Sequence, residues 1–214
     1  MSVEIRLHQP QEFNIEQWHN LQDLQFDAYA RTTLSQRDPE EIDYLVMKND
    51  FPRFLESHLD PNKEVGNRFR EDQRYSSPLV AVAIDAGRNN MPVGWAYSAH
   101  NVSGSHQIFK RLSIVRNYHW LREAVVKPEY QQQGIYKRLC NGLLARGFDH
   151  QRVATYVWPE EIPFLKEKLE NYGFVPKGKP TPERPIDLFG TGEMITQVRM
   201  EAPSAREVRA KLKQ

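Results

Sequence analysis

VVKPEYQQQGIYKRL, residues 125–139, changes from a strand pattern to a helix pattern at a single glycine. An apolar, β-branched run over about 119–126 is typical of a strand, and Pro128 ends it because proline cannot donate to a sheet ladder. Beyond Gly134 the apolar residues recur at helical spacing, at Ile135, Leu139, Cys140, Leu143 and Leu144. The stretch therefore predicts a strand, a tight turn and a helix in direct succession.

A helix that begins directly after a glycine exposes its first backbone amides as hydrogen-bond donors. These amides and the helix dipole attract anions, and Lys137 and Arg138 add positive charge nearby. The stretch lacks the G-K-[ST] of a Walker A loop and two of the three glycines of a dinucleotide fingerprint, which argues against nucleotide hydrolysis and hydride transfer. These residues alone are equally compatible with a phosphate cradle and with an ordinary strand–loop–helix link.

Strand and helix patterns alternate along the rest of the chain. Strands are predicted over 3–7, 79–84, 93–98, 119–126, 152–158 and 192–200, and helices over 15–26, 42–59 (broken), 135–144 and 162–174. The turn that contains Gly87, Asn89 and Asn90 marks the clearest hairpin, whereas residues 60–77 are typical of a loop. This order predicts an α/β (α+β) fold with a mixed, mostly antiparallel central sheet flanked by helices.

Length and composition indicate one globular domain in 214 residues, of which 39% are hydrophobic and 27% charged. We expect this domain to span residues 1–200 and residues 201–214 to form a basic, solvated and partly frayed tail. One or two amphipathic helical turns through Ala205, Val208 and Leu212 are the alternative for this tail. No apolar run approaches the roughly 18 residues of a membrane span. The polar N-terminus shows no export signal, so a cytoplasmic location is expected. A net charge of +1 argues against nucleic acid as a partner.

The cysteine and histidine content gives no metal-binding pattern, so no metal site is expected. Cys140 is the single cysteine and the seven histidines are scattered. Because Cys140 falls on the apolar face of a predicted helix, a small buried side chain explains it better than a nucleophile. The aromatic residues Trp95, Tyr97, Trp120 and Trp158 are interpreted as core, although an acceptor pocket is the alternative for them.

Residues 126–139 resemble the acetyl-CoA motif of the GNAT superfamily of N-acetyltransferases, V-x-P-x-x-[QR]-x-x-G-[IL]-[GA]-x-x-L. The matching positions are Val126, Pro128, Gln131, Gly134, Ile135 and Leu139. Tyr136 departs from the motif, which commonly has glycine or alanine there. The segments PVGWAY and ENYGFVPKG are similar to the family's third strand and late "GF" segment, so the resemblance covers residues 79–200. The segment at about 13–60 matches only the position of the family's variable, helical acceptor-binding wall.

The resemblance implies acetyl-CoA as co-substrate, with the fourth strand holding the pantetheine arm and the following loop holding the pyrophosphate. The implied cofactor-binding residues are Ala124, Val125, Val126, Gln131, Gln132, Gln133, Gly134, Ile135, Tyr136 and Lys137. The implied reaction is direct attack of a primary amine, on a small molecule or a peptide, on the thioester. One alternative is a catalytically degenerate module that binds CoA and serves as a regulator or scaffold. Another is a macromolecular acceptor, although tRNA would require a more basic surface.

Glu123 is the predicted general base because it precedes Val125 by two residues, at the strand end expected to hold the thioester. A salt bridge with a neighbouring cation is the alternative. Strand alternation would put Glu123 on the same face as Leu121 and Val125.

Many relatives have a tyrosine, four residues before the "GF" glycine, that protonates the leaving thiolate. In this chain the count back from Gly173 reaches Leu169. Tyr172 and Tyr156 are possible substitutes, but each is also typical of a core or rim aromatic. The general acid is therefore left unassigned, and its absence slightly favours the degenerate module.

Overall fold

The computed structural model describes residues 2–9, 12–32, 75–101, 118–157, 163–177, 181–186 and 195–214. The strands are β1 Val3–His8, β2 Tyr75–Asp85, β3 Met91–Asn101, β4 Tyr118–Val126, β5 Arg152–Val157, β6 Val175–Pro176, β7 Thr181–Ile186 and β8 Ile195–Ala202. The helices are α1 Ile15–Thr32, α2 Ile135–Leu144, α3 Pro163–Asn171 and α4 Ala205–Leu212, and a short 3-10 turn spans Pro128–Tyr130.

Within these ranges the strands form a sheet in the order β1-β2-β3-β4-β5-β8-β6, and β7 also pairs with β8. Every pairing is antiparallel except that of β4 with β5. The predicted α/β (α+β) class with a mixed, mostly antiparallel sheet is confirmed. β2 begins at Tyr75, inside the predicted loop, and β6 and β7 were not predicted. The predicted helical region at 42–59 lies outside the described residues.

Helix α1 covers one face of the sheet. At its start the Asn14 amide donates to Gln17 Oε1 (2.9 Å) and the Gln17 amide donates to Asn14 Oδ1 (2.8 Å), a reciprocal cap. Four residues at helical spacing then pack on β2, β3 and β4: Trp18, Leu21, Leu24 and Ala28. The predicted helix at 15–26 is confirmed and extends to Thr32. Among the described residues, no helix combines the length and apolarity needed to cross a membrane.

The opposite face carries the larger core, which α2 and α4 cover. The expectation of a frayed tail after residue 200 is wrong, because β8 continues to Ala202 and α4 follows it. Ser204 Oγ accepts a hydrogen bond from the Glu207 amide (3.2 Å) and so caps the helix, and it also donates to Glu207 Oε1 (3.2 Å). The apolar side of α4 is buried in the same core as α2, through Ala205, Val208 and Leu212.

β4 and β5 separate soon after they begin. Their parallel pairing covers only Tyr118 to Trp120 of β4, opposite Arg152 to Ala154 of β5. Farther along, the edge of β4 that faces β5 has no strand partner among the described residues. The two strands therefore splay and leave a gap in the sheet.

A bulge in β4 accompanies this separation. Tyr97 of β3 pairs with Glu123 and Ser98 pairs with Leu121, so Arg122 has no partner on β3. As a result Leu121 lies in the core under α2, whereas Val125 lies in the core under α1. The expectation that Glu123 shares a face with both residues is wrong, since the bulge interrupts the strand alternation.

Gly94 allows β3 to approach the far end of β4 closely. It pairs with Val126, and a Cβ at this position would lie 2.8 Å from the Val125 carbonyl oxygen. Because a backbone atom cannot move aside as a flexible side chain does, any larger residue would push β4 away from β3. β4 is thus held against β3 at the level where it leaves β5.

We predict that Gly94→Ala destabilises the fold by about 1–3 kcal/mol, the range typical of overpacking in a core. Gly142→Ala in α2 is a matched control, because its Cβ would meet Leu7 and Ile5 side chains at ordinary distances of 3.5 and 3.6 Å. There alanine should stabilise the helix by roughly 0.5–1 kcal/mol. Urea unfolding of both variants measures the difference, and equal stabilities would contradict the close approach at Gly94.

Candidate functional site

A cavity of about 750 Å³ occupies the gap between β4 and β5. Its wall takes Ala28, Val125 and Tyr156 from the side of the sheet that α1 covers. It takes Leu121 and Ala124 from the side that α2 covers. The cavity therefore passes through the sheet and can be reached by two ligands from opposite faces.

The loop after β4 presents a row of backbone amides at the start of α2. Gly134 caps the helix with φ +72° and supplies no side chain, and Gln132 also has a positive φ of 63°. Within the described chain, the amides of residues 132–137 donate to no protein acceptor, and the first helical bond runs from the Arg138 amide to the Gly134 carbonyl. A Cβ on Gly134 would point into open space. Consecutive unpaired amides at a helix N-terminus form an anion-binding surface.

Most of the residues that the sequence predicted for cofactor binding lie together. The cavity wall includes Ala124, Val125, Val126, Gln131, Gln132, Gly134, Ile135, Tyr136 and Lys137. The exposed Gln133 side chain instead donates from Nε2 to the Glu129 carbonyl at 3.3 Å. Only the backbone amide of Gln133 therefore faces the ligand side. Arg138 does not add charge to the cradle, because its guanidinium donates to the Val3 carbonyl of β1.

A buried hydrogen bond supports this loop from beneath. The Tyr130 hydroxyl donates to Asp85 Oδ2 at 2.8 Å, and the Gly87 amide donates to Asp85 Oδ1 at 2.9 Å. Tyr130 and Asp85 are each 1% exposed. Burial, and then the Asp85 hydrogen bond, raise the pKa of Tyr130 above its usual value. The hairpin turn between β2 and β3 therefore fixes the position of the loop that carries the amides.

One side of α3 forms the remaining wall of the cavity. The residues recur at helical spacing: Phe164, Leu165, Lys168, Leu169 and, just after the helix, Tyr172. Tyr136 of α2 faces this wall, and its ring stacks on Tyr172 with centroids 6.5 Å apart. The Lys168 ammonium lies 5.6 Å from the Tyr136 ring centroid, and the Lys137 ammonium lies 5.8 Å from that of Tyr172. Phe164, Leu165 and Lys168 were missed from the sequence, although this spacing could have indicated them.

Cys140 and Tyr136 both line the cavity, one turn apart on α2. Burial raises the pKa of the Cys140 thiol to about 12 and raises the pKa of Tyr136 well above its usual value. Both groups are therefore protonated at neutral pH. The interpretation of Cys140 as a small buried side chain is confirmed. Within the described ranges, no group of three or more His, Cys, Asp or Glu residues could hold a metal ion.

The role of Glu123 as general base stays a prediction, and the general acid stays unassigned. The backbone of Glu123 pairs with Tyr97 beside the bulge, and its side chain is outside the described part of the structure. Leu169 lies on the cavity wall at 2% exposure, so no hydroxyl occupies the position of the family's tyrosine. Tyr156 and Tyr172 line the same cavity.

The aromatic residues on β3 and β4 belong to the core. Trp95, Tyr97 and Trp120 are each at most 5% exposed, as the core interpretation predicted. Trp158 lies outside the described residues.

No protein-family model and no curated sequence matches the chain. Solved structures do match it. PaiA N-acetyltransferase from Thermoplasma acidophilum, in complex with coenzyme A, is 17% identical with a TM-score of 0.52, and the match covers 95% of this chain and 99% of that one. A spermidine N-acetyltransferase SpeG chimera from Vibrio cholerae and hSSAT is 15% identical, with a TM-score of 0.54 and coverages of 95% and 98%. A histone acetyltransferase HPA2 and related acetyltransferase from Corynebacterium glutamicum is 19% identical, with a TM-score of 0.53 and coverages of 95% and 97%.

The chain has the GNAT fold. At identities below 20% these likenesses establish architecture and not activity. The resemblance stated from the motif at residues 126–139 is confirmed at the level of the fold. The splayed strands, the amide row and the cavity between them are the features of this chain that bear on its function.

We predict that Gly134→Val weakens acetyl-CoA binding at least about tenfold, or about 1.4 kcal/mol. The Cβ would project into the open space in front of the amides, and the left-handed backbone should cost a further roughly 1–2 kcal/mol of stability. Titration calorimetry on the folded variant measures the affinity. Gly142→Ala, in the same helix but against β1, serves as control and should bind as the parent does. An unchanged dissociation constant for Gly134→Val would contradict the assignment of the cradle.

Proposed function

We propose that this protein is an acetyl-CoA-dependent N-acetyltransferase that transfers the acetyl group to a primary amine by direct attack on the thioester. The observation that carries the proposal is the combination of the open edge of β4 with the amide row of α2 on one cavity. An extended pantetheine arm needs backbone partners along its length, and a pyrophosphate needs amides and cations at its end. Both sets of groups are present, in that order, along residues 124–137.

The cofactor roles follow from these positions. Ala124 and Val126 offer backbone groups on the edge of β4 that has no strand partner to the pantetheine amides, and Val125, whose backbone pairs with Trp95 of β3, lines the cavity. The amides of residues 132–137 hold the pyrophosphate, whereas the Gln131 amide already donates to the Pro128 carbonyl at 3.2 Å. Lys137 and Lys168 contribute positive charge at the cavity wall. When bound, acetyl-CoA supplies an activated acyl group, and the chain supplies orientation and proton transfer.

In this proposal the two substrates enter the cavity from opposite faces of the sheet. The amide row lies on the α2 side of the sheet, so acetyl-CoA enters there. The acceptor approaches from the other side, past Ala28 of α1. In this proposal α1 forms part of the acceptor wall predicted over about residues 13–60. PaiA from Thermoplasma acidophilum was crystallised with coenzyme A, and SpeG is a spermidine N-acetyltransferase, which supports a CoA donor and an amine acceptor here.

In the proposed reaction the amine nitrogen forms a bond to the thioester carbonyl carbon, and the carbon–sulfur bond then breaks. The nitrogen must lose a proton, and the leaving thiolate must gain one. Glu123 takes the proton from the amine, directly or through a water molecule. We propose no side chain as the acid. The cytoplasmic location also stays a prediction.

One observation favours a second candidate function. Leu169 occupies the position of the family's acidic tyrosine and lines the cavity, so the usual proton donor to the thiolate is missing. A CoA-binding module without turnover, acting as a regulator or scaffold, would tolerate this change. The two candidates share the cofactor site and differ only in whether the thioester is consumed.

We predict that coenzyme A, at about 100 times its dissociation constant, stabilises the protein by roughly 2.7 kcal/mol, because it binds only the folded state. Thermal unfolding with and without CoA measures this effect, and NAD and ATP are the controls. Consumption of acetyl-CoA with a panel of amines then separates the enzyme from the binding module. A melting temperature that responds to NAD and not to CoA would overturn the choice of cofactor.

We predict that Glu123→Gln keeps the affinity for acetyl-CoA but lowers turnover by roughly two to four orders of magnitude. The variant should also lose the acidic limb of the pH–rate profile, because that limb reports ionisation of the base. Glu170→Gln is the matched control, since Glu170 is exposed on α3 and, among the described residues, pairs with Lys166 at 3.5 Å. Parent turnover with an unaltered pH profile in Glu123→Gln would remove Glu123 from the mechanism.

A further inference from the structure

A cluster of aromatic and charged side chains lies beyond the cavity on the face of the sheet that α1 covers. We call it the arginine–aromatic cluster, and it consists of Tyr118, Trp120, Tyr156, Arg199 and Glu201. Its members come from the neighbouring strands β4, β5 and β8. Their alternate neighbours, such as Val153 and Met200, belong to the core on the other side. The cluster thus shares the face from which the acceptor is proposed to approach.

The guanidinium of Arg199 is held in a fixed plane. Its central carbon lies 5.0 Å from the centroid of the Tyr118 ring and 4.9 Å from that of Trp120. Arg199 Nη2 also donates to Glu201 Oε1 at 2.6 Å. A guanidinium stacked on aromatic rings keeps its N–H donors in a preorganised fork that suits a carboxylate.

The cluster is continuous with the cavity through Tyr156. Tyr156 is the direct register partner of Arg199, and its ring stacks on Trp120 with centroids 5.3 Å apart. The same Tyr156 lines the cavity where β4 and β5 separate. A ligand that extends from the gap across Tyr156 would therefore reach Arg199.

The charges of the cluster select for an anion. Glu201 has only 8% of its side chain exposed and already accepts from Arg199 and, at 3.5 Å, from the Tyr118 hydroxyl. The Arg199 side chain is 33% exposed, whereas its Nε is buried and has no acceptor among the described residues. The more exposed member of the ion pair is thus the cation. It would repel the second ammonium group of a polyamine and attract a carboxylate.

We propose that the acceptor is a primary amine that also carries a carboxylate, and that Arg199 binds this carboxylate while the amine reaches the gap between β4 and β5. The inference rests on the proposed N-acetyltransferase activity and narrows its acceptor class. Tyr156 separates the two ends of the acceptor. The distance between its amine and its carboxylate then sets which chain lengths are used.

The test compares acceptors that differ only at the far end. Straight-chain ω-amino acids of increasing length are compared with alkylamines and diamines of the same length, and kcat/KM is measured for each. We predict that for at least one amino acid kcat/KM is about tenfold or more above that of the matched alkylamine and of the matched diamine. This ratio corresponds to about 1.4 kcal/mol. Arg199→Gln should remove this advantage, so that each amino acid and its matched alkylamine have similar kcat/KM values.

Arg199→Gln leaves Glu201 buried without its cation and is expected to cost stability. The double variant Arg199→Gln/Glu201→Gln removes both charges, so it keeps the test informative if the single variant unfolds. Arg206→Gln on α4 removes a cation from the other side of the sheet and should keep the preference. Circular dichroism and acetyl-CoA affinity establish that each variant is folded and binds its donor.

Each outcome bears on the inference. A carboxylate advantage that disappears in the Arg199 variants and persists in Arg206→Gln supports it. If alkylamines are acetylated and a carboxylate gives no advantage, Arg199 and Glu201 form a structural ion pair. This result would overturn the inference about the acceptor and leave the proposed N-acetyltransferase activity standing. Better use of diamines than of amino acids would overturn it in favour of a polyamine acceptor. Failure of the parent protein to bind acetyl-CoA would remove the proposed function, and this inference with it.

Discussion

The loss of pairing between β4 and β5 after Trp120 is the constraint on which the site depends. Backbone groups on a strand edge are costly to bury without partners, so a sheet normally closes such a gap. Here the bulge at Arg122 and the close approach at Gly94 commit β4 to β3 and prevent it from following β5. The sheet therefore leaves backbone donors and acceptors of β4 at the cavity without a strand partner, and of these the Val126 carbonyl accepts from Gln131 Nε2 at 3.2 Å. An extended chain that carries amides is the ligand such an edge fits.

The parts of the site that surround this gap are rigid for reasons that differ from place to place. α2 is anchored by fully buried apolar residues, among them Leu139 and Leu143, so the direction of its first amides is fixed by the core. The loop before it is fixed by the buried contact of Tyr130 with Asp85. A surface that is ordered before the ligand arrives loses less conformational entropy on binding. On the proposed acceptor side, ring stacking and one ion pair fix the plane of the Arg199 guanidinium.

The sequence predicts those features that local patterns encode. The strand–glycine–helix succession at residues 125–139 predicted β4, the turn at Gly134 and α2, and nearly all the implied cofactor residues line one cavity. The helix cap of α4 is also local, since it joins Ser204 to Glu207 three residues later, but it was not predicted. Other features have no local signal. The bulge at Arg122 depends on how β3 pairs, and the Tyr130–Asp85 contact joins residues 45 positions apart. The arginine–aromatic cluster requires the order of three strands, which no periodicity reveals.

Leu169 cannot donate a proton, so another cavity residue, such as a tyrosine, would have to replace the family's usual acid. Burial raises the pKa of both Tyr136 and Tyr172, so each holds its proton more tightly than an ordinary tyrosine does. Proton transfer to a leaving thiolate becomes less favourable as the pKa of the donor rises, which makes these two hydroxyls poor substitutes for an acid. The reaction itself supplies a proton, because the attacking amine must lose one when the thiolate needs one. A base at Glu123 could first accept the proton of the amine and then release it through water to the thiolate. No tyrosine would then be needed as the acid. On this argument Leu169 changes the route of the proton and does not abolish the chemistry.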